Sequence, residues 1–163
     1  VSFDVPDDLS TVPNEEIVGA LMQHILDKIV AVFDQAQVDL PARRYIHIGA
    51  TAHDCEQLTI SFLQMYAGPP GIRANEPQKC NSPRTAVFTV QLVRPAPLPE
   101  GRTQPPSIQS FYSHTLEKTR DAWLLMDAAM MAVDDYIGVI ADVAVTPPSD
   151  YQAIVLNLSV GIP

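Results

Sequence analysis

The side chains best able to do chemistry gather between positions 47 and 55, where His47 is followed by His53, Asp54 and Cys55. A cysteine beside a histidine can act as a nucleophile, because an imidazolium stabilises the thiolate. On a strand His53 and Cys55 would share a face and Asp54 would oppose them. The same residues fit a polar turn in which Asp54 bonds nearby backbone N–H groups, and three-residue matches are too short to outweigh that reading. His47, His53 and Cys55 would supply three metal ligands; a tetrahedral site needs a fourth, which only a swing of Cys80 would provide. His47 reads instead as a strand residue on the wetter face. The acids Asp134 and Asp135 diverge by about 100° on a helix and form no carboxylate pair. No G-x-G-x-x-G, P-loop, G-x-S-x-G, H-E-x-x-H or C-x-x-C motif occurs. The expectation is therefore no catalytic residue, no cofactor site and no metal site. A small Cys/His-dependent enzyme built on His47, His53 and Cys55 stands as the rival from another class.

The elements around this stretch read as a sheet. Residues 41–68 suggest two strands joined by a short turn. Tyr45, His47 and Gly49 alternate with Arg44, Ile46 and Ile48; then Leu58, Ile60 and Phe62 alternate with Gln57, Thr59 and Ser61. Residues 84–94 continue the pattern, with Ala86, Phe88, Val90 and Leu92 on one face. Ahead of them Asn14 suits a helix N-cap, with Glu15 and Glu16 in the first turn. The helix runs to about Gln35, with Ile17, Leu21, Ile25, Ile29 and Phe33 four apart and His24, Asp27 and Lys28 toward water.

Ser107 can cap a second helix over residues 108–136. Tyr112, Leu116, Trp123 and Met130, joined by Met126, Ala129 and Val133, suggest its buried stripe. Glu117, Lys118, Arg120, Asp121, Asp127, Asp134 and Asp135 suggest the wet side. Gly138 can stop the helix, leaving VIADVAV as a short strand, and residues 151–160 form the last strand. The order α-β-β-β-α-β, with room for one more strand before the end, predicts an α+β fold: a mostly antiparallel or mixed sheet with two helices on one face and long loops.

One domain over residues 1–163 accommodates this, with an N-terminal arm (1–13) and extended loops at 67–83 and 95–106. Proline clusters at 69–70, 95–106 and 147–148 mark the loops. A formal charge of −9 argues against a surface that wraps nucleic acid. No apolar run approaches the roughly 20 residues of a membrane helix. The opening VSFDVPDDLS is acidic and polar, unlike a signal peptide, so a soluble, cytoplasmic protein is expected. Two cysteines, Cys55 and Cys80, are too few for a disulfide framework.

The segments RRYIHIG, AHDCEQL, YAGPPG, VQLVR and YQAIVLNLSVGIP resemble tail terminator proteins of long-tailed actinobacteriophages, also described as head-to-tail connectors. The resemblance runs from the first helix to the C-terminus, and its motifs carry no catalytic signature. It implies a structural virion protein at the tail–neck junction, assembled in the host cytoplasm. Such a protein forms a homo-oligomeric ring, usually hexameric, that caps the major tail tube protein and meets a head-closure or neck connector protein. Double-stranded DNA passes through the lumen without specific binding, and an acidic lining would keep phosphates from adhering. Arg43, Arg44, Arg84 and Arg94, near strand ends, are candidates for contacts between subunits. The 67–83 loop, with Pro69, Pro70 and Arg73, the 95–106 loop and the N-terminal arm are candidates for arms that reach a neighbouring subunit or the tube. Another neck component, a stopper or an adaptor, is the nearest alternative. Stoppers are mostly small barrels and adaptors mostly helical, so the mix of helices and sheet disfavours both.

Overall fold

The computed structural model describes residues 9–52, 54–71, 83–97, 104–136, 138–146 and 150–162. A short 3-10 turn, Leu9–Thr11, precedes helix α1, Ile17–Gln35. Three strands follow: β1 Arg44–Ile48, β2 Gln57–Ala67 and β3 Arg84–Pro95. Helix α2, Ile108–Ala132, then leads to β4 Val139–Val145 and β5 Tyr151–Ile162. The strands form one sheet in the order β1-β2-β3-β5-β4. Only the β1–β2 pair is parallel; the other three pairs are antiparallel. This is the expected α+β fold with a mixed sheet and two helices, and VIADVAV is a strand.

The parallel pair changes one detail. Residues 49–56 are not a tight turn; they return the chain along the length of β1 so that β2 starts beside Arg44. Leu58 N–H donates to the Arg43 carbonyl and Gly49 N–H to the Phe62 carbonyl, which closes both ends of the pair. An irregularity between Phe62 and Gln64 leaves Leu63 as an extra residue in β2.

The period of two sorts the sheet's faces. Leu58, Leu92 and Ile154 form one cross-strand row, and Ile60, Val90 and Leu156 the next. All six are fully buried in the core, together with Leu21, Ile25, Ile29 and Phe33 of α1. α1 packs on β1 and β2, α2 on β4 and β5, and the two helices pack on each other.

α1 starts at Ile17, after a turn, and no side chain caps it; Asn14 does not take that role. His24 and Lys28 are half-buried rather than solvated. At its other end Gln37 adopts a left-handed conformation, φ 55°. The Val38 N–H bonds the Phe33 carbonyl and the Gln37 N–H bonds that of Asp34. This is a Schellman cap with glutamine where glycine is usual.

α2 departs most from expectation. Ser107 does cap it, its Oγ accepting from the Ser110 N–H at 3.1 Å. The expected inner stripe, however, points outward: Tyr112 is 60% exposed, Trp123 71%, and Leu116 and Met130 are exposed too. The buried face carries Lys118, Asp121, Leu125, Ala128, Ala129 and Ala132. Lys118 and Asp121, expected in water, are therefore inside; Met126 is half-buried, and Ala129 and Val133 are buried as expected. The helix stops at Ala132, and a turn carries Asp134 and Asp135 outside.

Arg94 explains the rotation of α2. Its Nε donates to Asp121 Oδ2 at 2.7 Å and its Nη2 to the Asp39 carbonyl at 2.6 Å. Asp121 is fully buried, and the half-exposed Arg120 adds a second contact to it at 3.3 Å. A buried carboxylate must be paired, so Asp121 faces Arg94 and carries the small alanines inward with it. Burial holds the Lys118 ammonium below its ordinary value of 10.5; Asp121 opposes that shift and Arg94 adds to it.

Three stability measurements follow from these contacts. Arg94→Ala leaves the buried Asp121 with only the half-exposed Arg120 beside it and is expected to cost about 3 kcal/mol in urea unfolding. Arg94→Lys recovers only part of this, lacking the planar fork that reaches Asp121 and Asp39 together. Gln37→Gly relieves the left-handed position and is expected to stabilise by about 0.5–1 kcal/mol. For Lys118 the folded value lies below the unfolded one, so the unfolded chain binds more protons between them. Stability contributed there rises with pH across that window, up to 10.5. Lys118→Met should remove this rise and be the more stable chain at neutral pH.

Candidate functional site

The face of the sheet turned away from the helices holds the histidine singled out above, and most of its central residues, Thr59, Ser61, Thr85 and Thr89 among them, are buried. His47, Ser61, Thr89, Asn157 and Asp142 occupy one row that crosses all five strands. His47 Nε2 meets Ser61 Oγ at 2.8 Å and also contacts Thr51 Oγ1. Thr51 and Ser61 lie 3.0 Å apart, and Thr59 donates to Thr51 at 3.4 Å. Thr89 donates to Asn157 at 3.2 Å, and Asn157 to Asp142 at 3.0 Å. The loop 49–56 thus lies on β1 and β2 through Thr51, and Gln57 Nε2 fixes it again on the Ala52 carbonyl at 2.6 Å.

This network ties residues 51 and 52 to the strands below them. The His47 Nδ1 faces the Ile48 carbonyl at 3.2 Å, not an acid. Ser61 is buried, so no substrate can approach its hydroxyl without displacing Thr51. Cys55 belongs to another set of contacts. Arg43 Nη1 approaches its sulfur at 3.2 Å, and the thiol donates to Gln57 Oε1 at 3.4 Å. Tyr45 donates to the same Oε1 at 3.1 Å, while the Arg43 guanidinium stands 5.3 Å from the Tyr45 ring centre. His53 and Cys80 lie outside the described residues. Among the described residues no cluster of three metal-ligating side chains forms. Tyr136, half-buried beyond α2, has its phenol pushed up by burial, with Asp135 adding to the shift.

The remaining candidates divide between the two ends of the sheet. Arg43 and Arg44 stand at the end where β1 begins, and Arg44 Nε donates to the Pro41 carbonyl at 2.7 Å. Arg94 is at that end too, but its guanidinium is spent within the chain on Asp121 and Asp39, with Glu56 at 3.9 Å. Arg84 lies at the opposite end, about 34 Å from Arg94 along β3, exposed and paired with Ala67 and Ile162. Pro69 and Pro70 are beside it. Pro70 packs close to Gly138, where an added Cβ would come within 3.3 Å of the ring. Gly68 N–H donates to the Pro83 carbonyl at 2.8 Å, and Thr85 Oγ1 to the Gly68 carbonyl at 2.7 Å. The loop therefore leaves and rejoins the sheet at a single point; Arg73 lies outside the described residues.

The feature with most unsatisfied surface is one the sequence reading placed in the core. Ile108, at 88% exposure, stands out with Tyr112, Leu116, Trp123, Met130 and Met131 along the outside of α2, and Phe111, in line with Ala129, is exposed in the first turns. None of residues 108–117 is buried, so the first turns overhang the packed region. At 150–250 Å² for a whole aromatic side chain, the three exposed rings alone present on the order of 350 Å². That approaches the largest apolar patch of a typical monomer before the aliphatic side chains are added. The signal available in the sequence was the set Ala128, Ala129 and Ala132, which marks a face for close helix contact.

In comparisons with known proteins, no family model and no curated protein matches the chain. No helix among the described residues is long and apolar enough to cross a membrane.

Ser61→Ala is expected to cost about 1 kcal/mol and to speed amide exchange in residues 50–56. Cys55→Ser should leave thermal unfolding within about 0.5 kcal/mol of the parent, the outcome for a polar contact at a half-exposed site.

Proposed function

We propose that the chain is a non-enzymatic structural protein that assembles into a ring on the end of a phage tail tube, capping it and joining it to the head-side neck. The observation that carries this reading is the outward apolar face of α2. A water-exposed Trp, two further rings, Ile, Leu and Met on one helix mark a surface made to be covered by protein. The segments RRYIHIG, YAGPPG and YQAIVLNLSVGIP, similar to those of tail terminators, give the class of assembly.

The fold suits the role physically. A stacked ring needs two axial surfaces, and the sheet has two ends carrying different groups. Arg43, Arg44 and the overhanging turn of α2 lie at one; Arg84, Pro69 and Pro70 lie at the other. The overhang, with Ile108, Phe111, Tyr112 and Leu116, suits an axial partner, either the tube protein or the neck connector. Residues 108–117 make a helical segment too short to be stable alone in water, so a covering partner stabilises it. The chain's charge of −9 would give the ring an acidic character that lets DNA pass without adhering.

The deciding experiment is localisation in the intact virion by cryo-electron microscopy, with copy number from quantitative mass spectrometry. The expected result is one ring between tube and neck, with six copies per virion. Absence from that junction overturns the reading, as does turnover of a small molecule that Cys55→Ser abolishes in a folded chain.

A further inference from the structure

Every exposed large apolar side chain among the described residues falls on one of two flanks. Beyond the α2 stripe, Ile140 and Val145 lie on β4, the edge strand against which α2 packs. The others, Ile48, Leu63 and Met65, form a corner where β1 ends and β2 bulges. Ile48 is 80% exposed although it shares a face with Ile46 and Phe62, which pack against the core. β1 and β4 are the two opposite edges of the sheet. The stripe side of α2 lies opposite the face buried against α1 and the sheet, and α2 is the helix on the β4 side of the sheet.

We infer that the flanks are complementary: Trp123, Met130 and Met131 of one copy seat on Ile48, Leu63 and Met65 of a second copy of this chain. The heights match. α2 begins at the end of the sheet where His114 bonds Gln152, and finishes at the end where Val139 pairs with Val160. Its C-terminal half therefore runs toward the end at which Ile48 and Met65 stand, without axial displacement of the neighbour. Two different patches on opposite flanks give a head-to-tail contact, which closes into a ring if the rotation permits. The two patches together present apolar surface on the order of 700 Å², roughly three quarters of the apolar share of a standard interface of about 1,600 Å². A second copy is the occupant favoured because one chain supplies both halves at equal height. The choice of an unsymmetrical contact rests on the ring reading above.

Trp123 is the only tryptophan in the chain, so its fluorescence reports this contact directly. With rising concentration of the full chain, its emission should move to the blue as the sedimenting mass increases. Trp123→Glu and Met65→Glu should each weaken self-association about 30-fold or more, with thermal unfolding of the two exposed-site variants near that of the parent. Each variant keeps one intact flank, so mixing them should give a heterodimer that grows no further. A photoreactive side chain introduced at Met131 should cross-link to residues 48–65 of another copy, which tests the contact even if a charged variant fails to fold.

A parent chain that stays monomeric with an unchanged Trp123 spectrum overturns the inference. So do variants that assemble like the parent, a mixture that does not pair, or cross-links from position 131 only to α2 of another copy. If the flanks pair but the protein is missing from the tail junction, the inference stands and the ring-cap reading falls. If the protein is at the junction but the flanks do not pair, the reverse holds.

Discussion

The salt bridge between Arg94 and Asp121 decides which side of α2 meets the solvent. Asp121 is fully buried, and Arg94 arrives from the end of β3 with its other nitrogen on the Asp39 carbonyl. A helix can rotate about its axis at little cost if only apolar contacts hold it; a buried carboxylate that must keep a cation cannot. Fixing Asp121 inward brings Ala128, Ala129 and Ala132 against the core and drives Trp123 and Met130 outward. One ion pair thus determines both the close approach of the helices and the chemistry of the outer surface.

The opposite side of the molecule is built on different physics. Beneath the helices the sheet is apolar; on its other, largely buried face a row of imidazole, hydroxyl, amide and carboxylate crosses all five strands. Contacts within that row satisfy most of its polar groups, while Gln91 Oε1, buried nearby, has no hydrogen-bond partner among the described residues. The parallel β1–β2 pair depends on this face. Its return loop has little apolar anchorage and relies on Thr51 and Ala52 bonding the strands below. His47, one of the residues that first suggested catalysis, thereby takes part in fastening a short connection between parallel strands.

Much of the architecture was legible in the residues. Alternation in 57–62 and 84–94 identified the central strands, the four-residue spacing of Ile17 to Phe33 identified α1, and Ser107 marked the start of α2. The direction of β1 against β2 was not legible, since alternation states which side chains share a face and not which way the neighbour runs. The inner face of α2 was misread for a definite reason. Tyr112, Leu116, Trp123 and Met130 have the spacing of a core stripe, and hydrophobic periodicity cannot distinguish a face buried in the chain from one left outside it. Only the long-range pairing of Asp121 with Arg94, 27 residues away, breaks that tie. The candidate arginines were correctly placed near strand ends, yet one of them is consumed inside the fold.

The meeting of Gly68 with Pro83 gives the chain a modular seam. Because the backbone hydrogen bond between them and the Thr85 hydroxyl close the base, the sheet's register is set without reference to what lies between. Length and composition of the intervening segment are thus free to vary during evolution while the scaffold stays constant. A change of chemistry between those two anchors could leave the hydrophobic interior untouched.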